Sequence, residues 1–184
     1  MKKTIYIIIL GIFTIICFII GFIDERKSQN SIETDSISEL SDTATVIRVK
    51  DGDTYFVKLD STDQEVTIRL IGVDTPESVA PDNYYKDNTA EGKEVSAIVK
   101  DKIKAGDKLS VEYDVQTEDK YGRTLAYLYF SDGKMIQEWL LENGYAQVMT
   151  IQPNSKYAEH FADIQHIAAE NGIGLWNDYY ESEE

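Results

Sequence analysis

Residues 4–23 form an uncharged run rich in Ile and Phe, preceded by Lys2 and Lys3. At 1.5 Å of helical rise per residue, such a run spans roughly 30 Å, the hydrocarbon thickness of a bilayer. It has no polar stripe that a buried soluble helix could leave in water. A cleavable signal has a shorter apolar region of about 7–15 residues and a small-residue cleavage site. Asp24-Glu25-Arg26-Lys27 offers no such site, and Ile16 rather than a small residue precedes Cys17. Residues 1–23 are expected to be an uncleaved membrane anchor, with a long cleaved signal as the alternative. Lys2 and Lys3 favour a cytoplasmic N-terminus and an exported body, either membrane-anchored or secreted.

Of the 184 residues, too few remain for two cores of ordinary size. Residues 24–43 carry Ser, Thr, Asp and Glu with few large apolar groups, so they are expected to be a flexible acidic linker. The folded domain is expected at 44–178, with an acidic tail at 179–184. Eighteen Lys plus Arg stand against 33 Asp plus Glu, a formal net charge of -15. That excludes a basic protein that coats nucleic acid, but not a local basic site. The single cysteine, Cys17, excludes both an intramolecular disulfide and a Cys-based zinc site. No internal repeat is visible, which argues against solenoids and propellers.

The domain is β-rich first and helical later. Thr45–Val49 and Thr54–Leu59 are β-branched runs joined by Lys50-Asp51-Gly52-Asp53, a hairpin signal. Alternation from Val66 to Val73 predicts one strand, with Val66, Ile68 and Leu70 facing one way and Thr67, Arg69 and Ile71 the other. Val95, Ile98, Val99 and Ile103 recur at helical spacing and predict a helix over Ala90–Lys104. Strands follow at Leu109–Tyr113 and Thr124–Phe130. A second helix runs through Met135, Ile136, Trp139 and Leu140 to a stop at Gly144. A third is expected from Ser155 to Asn171, burying Tyr157, Phe161, Ile164 and Ala168. Five short strands and three helices suit an α+β fold, a small barrel with helices packed against it.

Polar chemistry is concentrated in three segments: Asp51-Gly52-Asp53-Thr54, Arg69 through Glu77, and Lys120-Tyr121-Gly122-Arg123. Each alone is an ordinary turn or a charged strand end. Together, in this order and at this spacing, they resemble the staphylococcal nuclease family, from about Ala44 to Trp176. The resemblance implies a five-stranded OB-fold barrel and a calcium-dependent, sugar-nonspecific endonuclease. DNA and RNA would be the substrates, 3′-phosphate ends the product, and a monomer suffices.

Cleaving a phosphodiester requires charge neutralisation on the phosphate and an activated water. A hard divalent ion takes oxygen ligands, which Asp53, Asp74 and the Thr75 carbonyl, stiffened by Pro76, would supply. The resemblance names that ion as Ca2+ and gives Glu77 the general-base role. Arg69 and Arg123 offer planar forks for phosphate oxygens. By the same resemblance, Lys120 and Tyr121 would contact a terminal phosphate and a nucleotide. Two other readings are a noncatalytic OB-fold module that binds nucleic acid or protein, and an anchored calcium-binding surface protein. Such modules lack part of the acidic and arginine set, which is complete here.

His160 and His166 are six apart on one helix and make no shared metal site. Tyr127 and Tyr129 share a strand face and read as core, whereas Tyr84 and Tyr85 lie in an irregular loop and could stack on bases. Two features depart from the family. After Gly144, tyrosines that line a nucleotide pocket are replaced by Val148-Met149-Thr150-Ile151-Gln152, one residue shorter. The body is also acidic, so long-range steering of DNA is lost while contacts inside the site survive screening over about 8 Å. Hydrolysis with weak substrate affinity is expected.

Overall fold

A computed structural model describes residues 41–76 and 90–177. The stretch 4–23, Glu77, Tyr84 and Tyr85 and the tail lie outside the described residues. Strands β1 (Ser41–Asp51), β2 (Thr54–Leu59), β3 (Glu65–Leu70), β5 (Lys108–Glu112) and β6 (Thr124–Tyr129) close a barrel in the order β1-β2-β3-β6-β5. This is the five-stranded barrel expected from the sequence. All its pairings are antiparallel except β3 with β6, where Ile68 faces Thr124 and Leu70 faces Ala126 in parallel.

The long strand β1 makes closure possible. Its first half pairs with β5 and most of its length with β2, so Ala44 and Thr45 are bonded on both sides. Irregularities between Val46 and Arg48 and between Val49 and Asp51 bend it around the core. Alternate residues point inward: Val46, Tyr55, Val57, Ile68, Leu109, Val111 and Leu128 are all buried.

Three helices cover the barrel. Helix α1 (Ala90–Lys102) buries Val95 and Val99, with Ile103 just beyond its end. Helix α2 (Ile136–Glu142) buries Ile136, Leu140 and Leu141. Its Gln137, wholly buried, accepts from the Leu128 N–H and donates to the Ala126 carbonyl, both at 3.2 Å. Two backbone groups of β6 are satisfied in this way. Gly144 ends α2 as expected: its N–H donates to Leu141 O at 3.0 Å and that of Tyr145 to Leu140 O at 2.8 Å, a Schellman pair. Helix α3 (Ala158–Glu170) buries Phe161 and Ala168, while Tyr157 and Ile164 are half-buried.

One local reading needs correction. The run Val66 to Val73 is not one strand. It breaks after Leu70, and β4 (Gly72–Asp74) leaves the barrel to pair with β7 (Gln147–Met149). Gly72 permits the break. Its φ is +83°, and a Cβ there would lie 2.7 Å from the Phe161 ring. Arg69, on the strand face opposite Ile68, is buried at 8% exposure.

Candidate active site

The antiparallel register that sets Thr54 against Arg69 continues one step past β2. The Leu70 N–H donates to the Asp53 carbonyl at 3.0 Å. This carries the Asp53 carboxylate to the root of Arg69. The break after Leu70 then folds β4 back, so that Arg69 Nη1 donates to Val73 O at 2.8 Å and to Leu70 O at 3.2 Å. The same guanidinium bridges two acids, with Nη1 3.2 Å from Asp53 Oδ2 and Nη2 2.8 Å from Asp74 Oδ1. A buried cation is tolerated here because it is paired and hydrogen-bonded on several sides.

Thr75 seals this group from the other side. Its N–H and its hydroxyl both donate to Asp53 Oδ2, at 3.0 and 3.1 Å. The Thr54 hydroxyl donates to Asp53 Oδ1 at 2.9 Å. The hairpin tip fits closely over the Thr75 side chain, because a Cβ on Gly52 would stand 2.8 Å from it. The Tyr55 hydroxyl donates to Gly52 O at 2.8 Å, and its pKa is raised well above the ordinary range by burial, then by the Asp53 charge. Asp53 and Thr75 are buried, at 7% and 3% exposure, whereas Asp74 is half-buried.

The parallel pairing of β3 with β6 sets Arg123, at the mouth of β6, beside the end of β3 that carries Arg69. Arg69, Asp74, Lys120, Tyr121 and Arg123 all border one cleft of about 550 Å³. Tyr121 is 66% exposed. Its ring lies 5.0 Å from Lys120 Nζ and 5.5 Å from the Arg123 guanidinium carbon. Seven of the eight singled-out residues are thus described: four line the cleft with cationic or aromatic groups, Asp74 lines it, and Asp53 and Thr75 support it from behind. Glu77 lies outside the described residues.

Sequence reasoning missed several contributors. Met149 and Ile151 form an aliphatic part of the wall, where the sequence had shown only the loss of tyrosines. Asn154, buried, accepts from the Gln116 N–H at 2.8 Å and donates to the Gln116 carbonyl at 2.7 Å. That double bond fastens the β5–β6 connection to the segment after β7. Asp119 holds Arg123; its place three residues before a glycine was the available signal.

Among the described residues no group of three or more His, Cys, Asp or Glu side chains could hold a metal. Asp53, Asp74 and the Thr75 carbonyl form an all-oxygen donor set, the chemistry that a hard divalent cation takes. They do not fit zinc, which prefers nitrogen and sulfur donors.

A small closed barrel with buried acids behind a cationic cleft is a phosphate-handling architecture. Comparison with known proteins makes the class specific. The family described as staphylococcal nuclease homologue matches residues 67–178. The chain is 36% identical over 177 residues to the thermonuclease of Staphylococcus hyicus, covering 96% of this chain and 99% of that one. It is 37% identical over 131 residues to the thermonuclease of Staphylococcus intermedius, covering 71% and 74% respectively. With the endonuclease YncB of Bacillus subtilis (strain 168) it shares 36% identity over 135 residues, 72% of this chain and 61% of that one. The chain belongs to the staphylococcal nuclease family.

Proposed function

We propose that this chain is a calcium-dependent, sugar-nonspecific endonuclease that hydrolyses phosphodiester bonds of DNA and RNA and leaves 3′-phosphate ends. The apolar run at 4–23 supports action outside the cytoplasmic membrane, tethered or released. The observation that carries the catalytic reading is the convergence on one cleft of Arg69, Asp74, Lys120, Tyr121 and Arg123, with Asp53 behind them.

Asp53, Asp74 and the Thr75 carbonyl would hold the calcium ion, which when bound supplies charge neutralisation on the phosphate and a more acidic water. Glu77 takes the proton from the attacking water. Arg69 and Arg123 bind the non-bridging phosphate oxygens and stabilise the charge that grows on them as the bond to the 5′ oxygen breaks. Lys120 and Tyr121 hold a neighbouring phosphate and nucleotide at the rim. The acidic surface repels distant nucleic acid, so affinity depends on contacts within the cleft.

The test is cleavage of a labelled oligonucleotide by the full chain, in calcium and in chelator, beside Glu77→Ala and Arg123→Ala. Cleavage should require calcium and fall by at least about 100-fold in each variant. Cleavage that ignores the chelator, or persists undiminished in both variants, refutes these assignments.

A further inference from the structure

Asp119 has no role in the scheme above, yet its carboxylate is tightly engaged. It is largely buried, with its side chain 15% exposed, and it gathers three N–H donors. Oδ1 accepts from the Tyr121 N–H at 2.8 Å and the Arg123 N–H at 3.0 Å. Those two bonds close the turn, together with the Gly122 N–H bond to Asp119 O at 3.1 Å. Oδ2 does something else: it accepts from Arg123 Nε at 2.7 Å, outside the backbone of the turn.

The contrast with Arg69 is informative. Arg69 is fixed by two acids and two carbonyls and is nearly buried. Arg123 is 33% exposed along its side chain, and among the described residues Asp119 is the one acid paired with it. A long side chain so exposed would otherwise populate several rotamers. A charge-assisted bond at Nε fixes the torsions that lead to the guanidinium, and it leaves the two terminal nitrogens for a planar, two-point grip on an anion. The Tyr121 ring, 5.5 Å from the guanidinium carbon, bounds the same group on a second side.

We infer that Asp119 is a positioning residue: it presets the Arg123 guanidinium for phosphate. This rests on the proposed nuclease reading. The plain alternative is that Asp119 only builds the turn. The two separate cleanly, because Asp119→Asn keeps an oxygen for the backbone N–H groups but loses the charge that grips Nε.

The experiment is a double-mutant cycle on the full chain with Asp119→Asn, Arg123→Ala and their combination, read as kcat and KM on a labelled oligonucleotide in calcium. Asp119→Asn should lower kcat by about 10–100-fold, as expected for a catalytic group displaced by a fraction of an ångström. Added to Arg123→Ala it should lower kcat no further. In parallel, the Arg123 Nε–H resonance should be protected from solvent exchange in the parent and lose that protection in Asp119→Asn. An equal fold-loss in both backgrounds, or full activity in Asp119→Asn, or an unchanged Nε–H resonance, overturns the inference while leaving the nuclease reading intact. Parental activity in Arg123→Ala would instead overturn the phosphate-binding role proposed for Arg123, and the inference with it.

Discussion

Replacing Arg69 by Met keeps much of the stem and deletes the guanidinium. Four acceptors lose one donor at once: Asp53 Oδ2, Asp74 Oδ1, Leu70 O and Val73 O, all within 3.2 Å. Asp53 retains the Thr75 N–H and two hydroxyls, so its charge is not wholly abandoned. Even so, both acids lose the guanidinium they share. Removing one partner of a buried ion pair costs about 3–5 kcal/mol. At about 3 °C per kcal/mol for a domain of this size, the melting temperature should fall by about 10–15 °C in chelator. A divalent cation held as proposed would restore positive charge beside the same carboxylates, and any ligand selective for the folded state adds stability through mass action. The variant should therefore gain more from calcium than the parent, in which the guanidinium already offsets part of the acids' charge. Differential scanning fluorimetry of both proteins, in chelator and across a calcium titration, reads the two effects. An unchanged melting temperature in chelator, or an identical calcium-induced gain in both proteins, would refute the reasoning that Arg69 and the cation share the carboxylates.

Burial opposes ionisation of Asp119, but the backbone and side-chain bonds from Arg123 and the Tyr121 N–H outweigh it and hold its pKa below the usual carboxylate value. A depressed pKa stabilises above the unfolded-state value and is lost as pH falls through the folded one. The stability gap between parent and Asp119→Asn in urea should thus be full near neutrality and shrink below about pH 3.9. Gly52→Ala drives a methyl group to 2.8 Å from the Thr75 side chain, so unfolding in denaturant should show a loss of about 1–3 kcal/mol, with activity falling too. Asn154→Ala strands the Gln116 N–H and carbonyl, which should cost about 1–3 kcal/mol and speed limited proteolysis between β5 and β6.

Much of the barrel was legible because its strands alternate cleanly between turn residues. Thr54–Leu59 was read to the residue, bounded by Asp51-Gly52-Asp53 before it and Asp60 after it. Other features depended on partners far away in the chain. Val66 to Val73 alternates as one strand would, and only the Phe161 ring approaching Gly72 explains the break. The polar start of β1 at Ser41 resembles a tether, but residues 41–45 are paired with β5. β7 has only three residues, too few for alternation to mark a strand. For the site, Arg69, Asp74, Lys120, Tyr121 and Arg123 from two of the three motifs border one cleft, while Glu77 lies outside the described residues. Burial of Arg69 was not foretold, since alternation cannot express that two acids will neutralise a cation. The role of Asp119 was not legible, for its second bond lies outside the backbone of the turn it builds.

The parallel seam between β3 and β6 joins Ile68 directly to Thr124, with α1 and β5 lying between them along the chain. Long-range parallel pairing is among the slower events in folding. A growing polypeptide that already has Asp53, Arg69 and Asp74 therefore still lacks the opposite lip of its cleft. The two arginines come to face one another only when the last barrel strand docks.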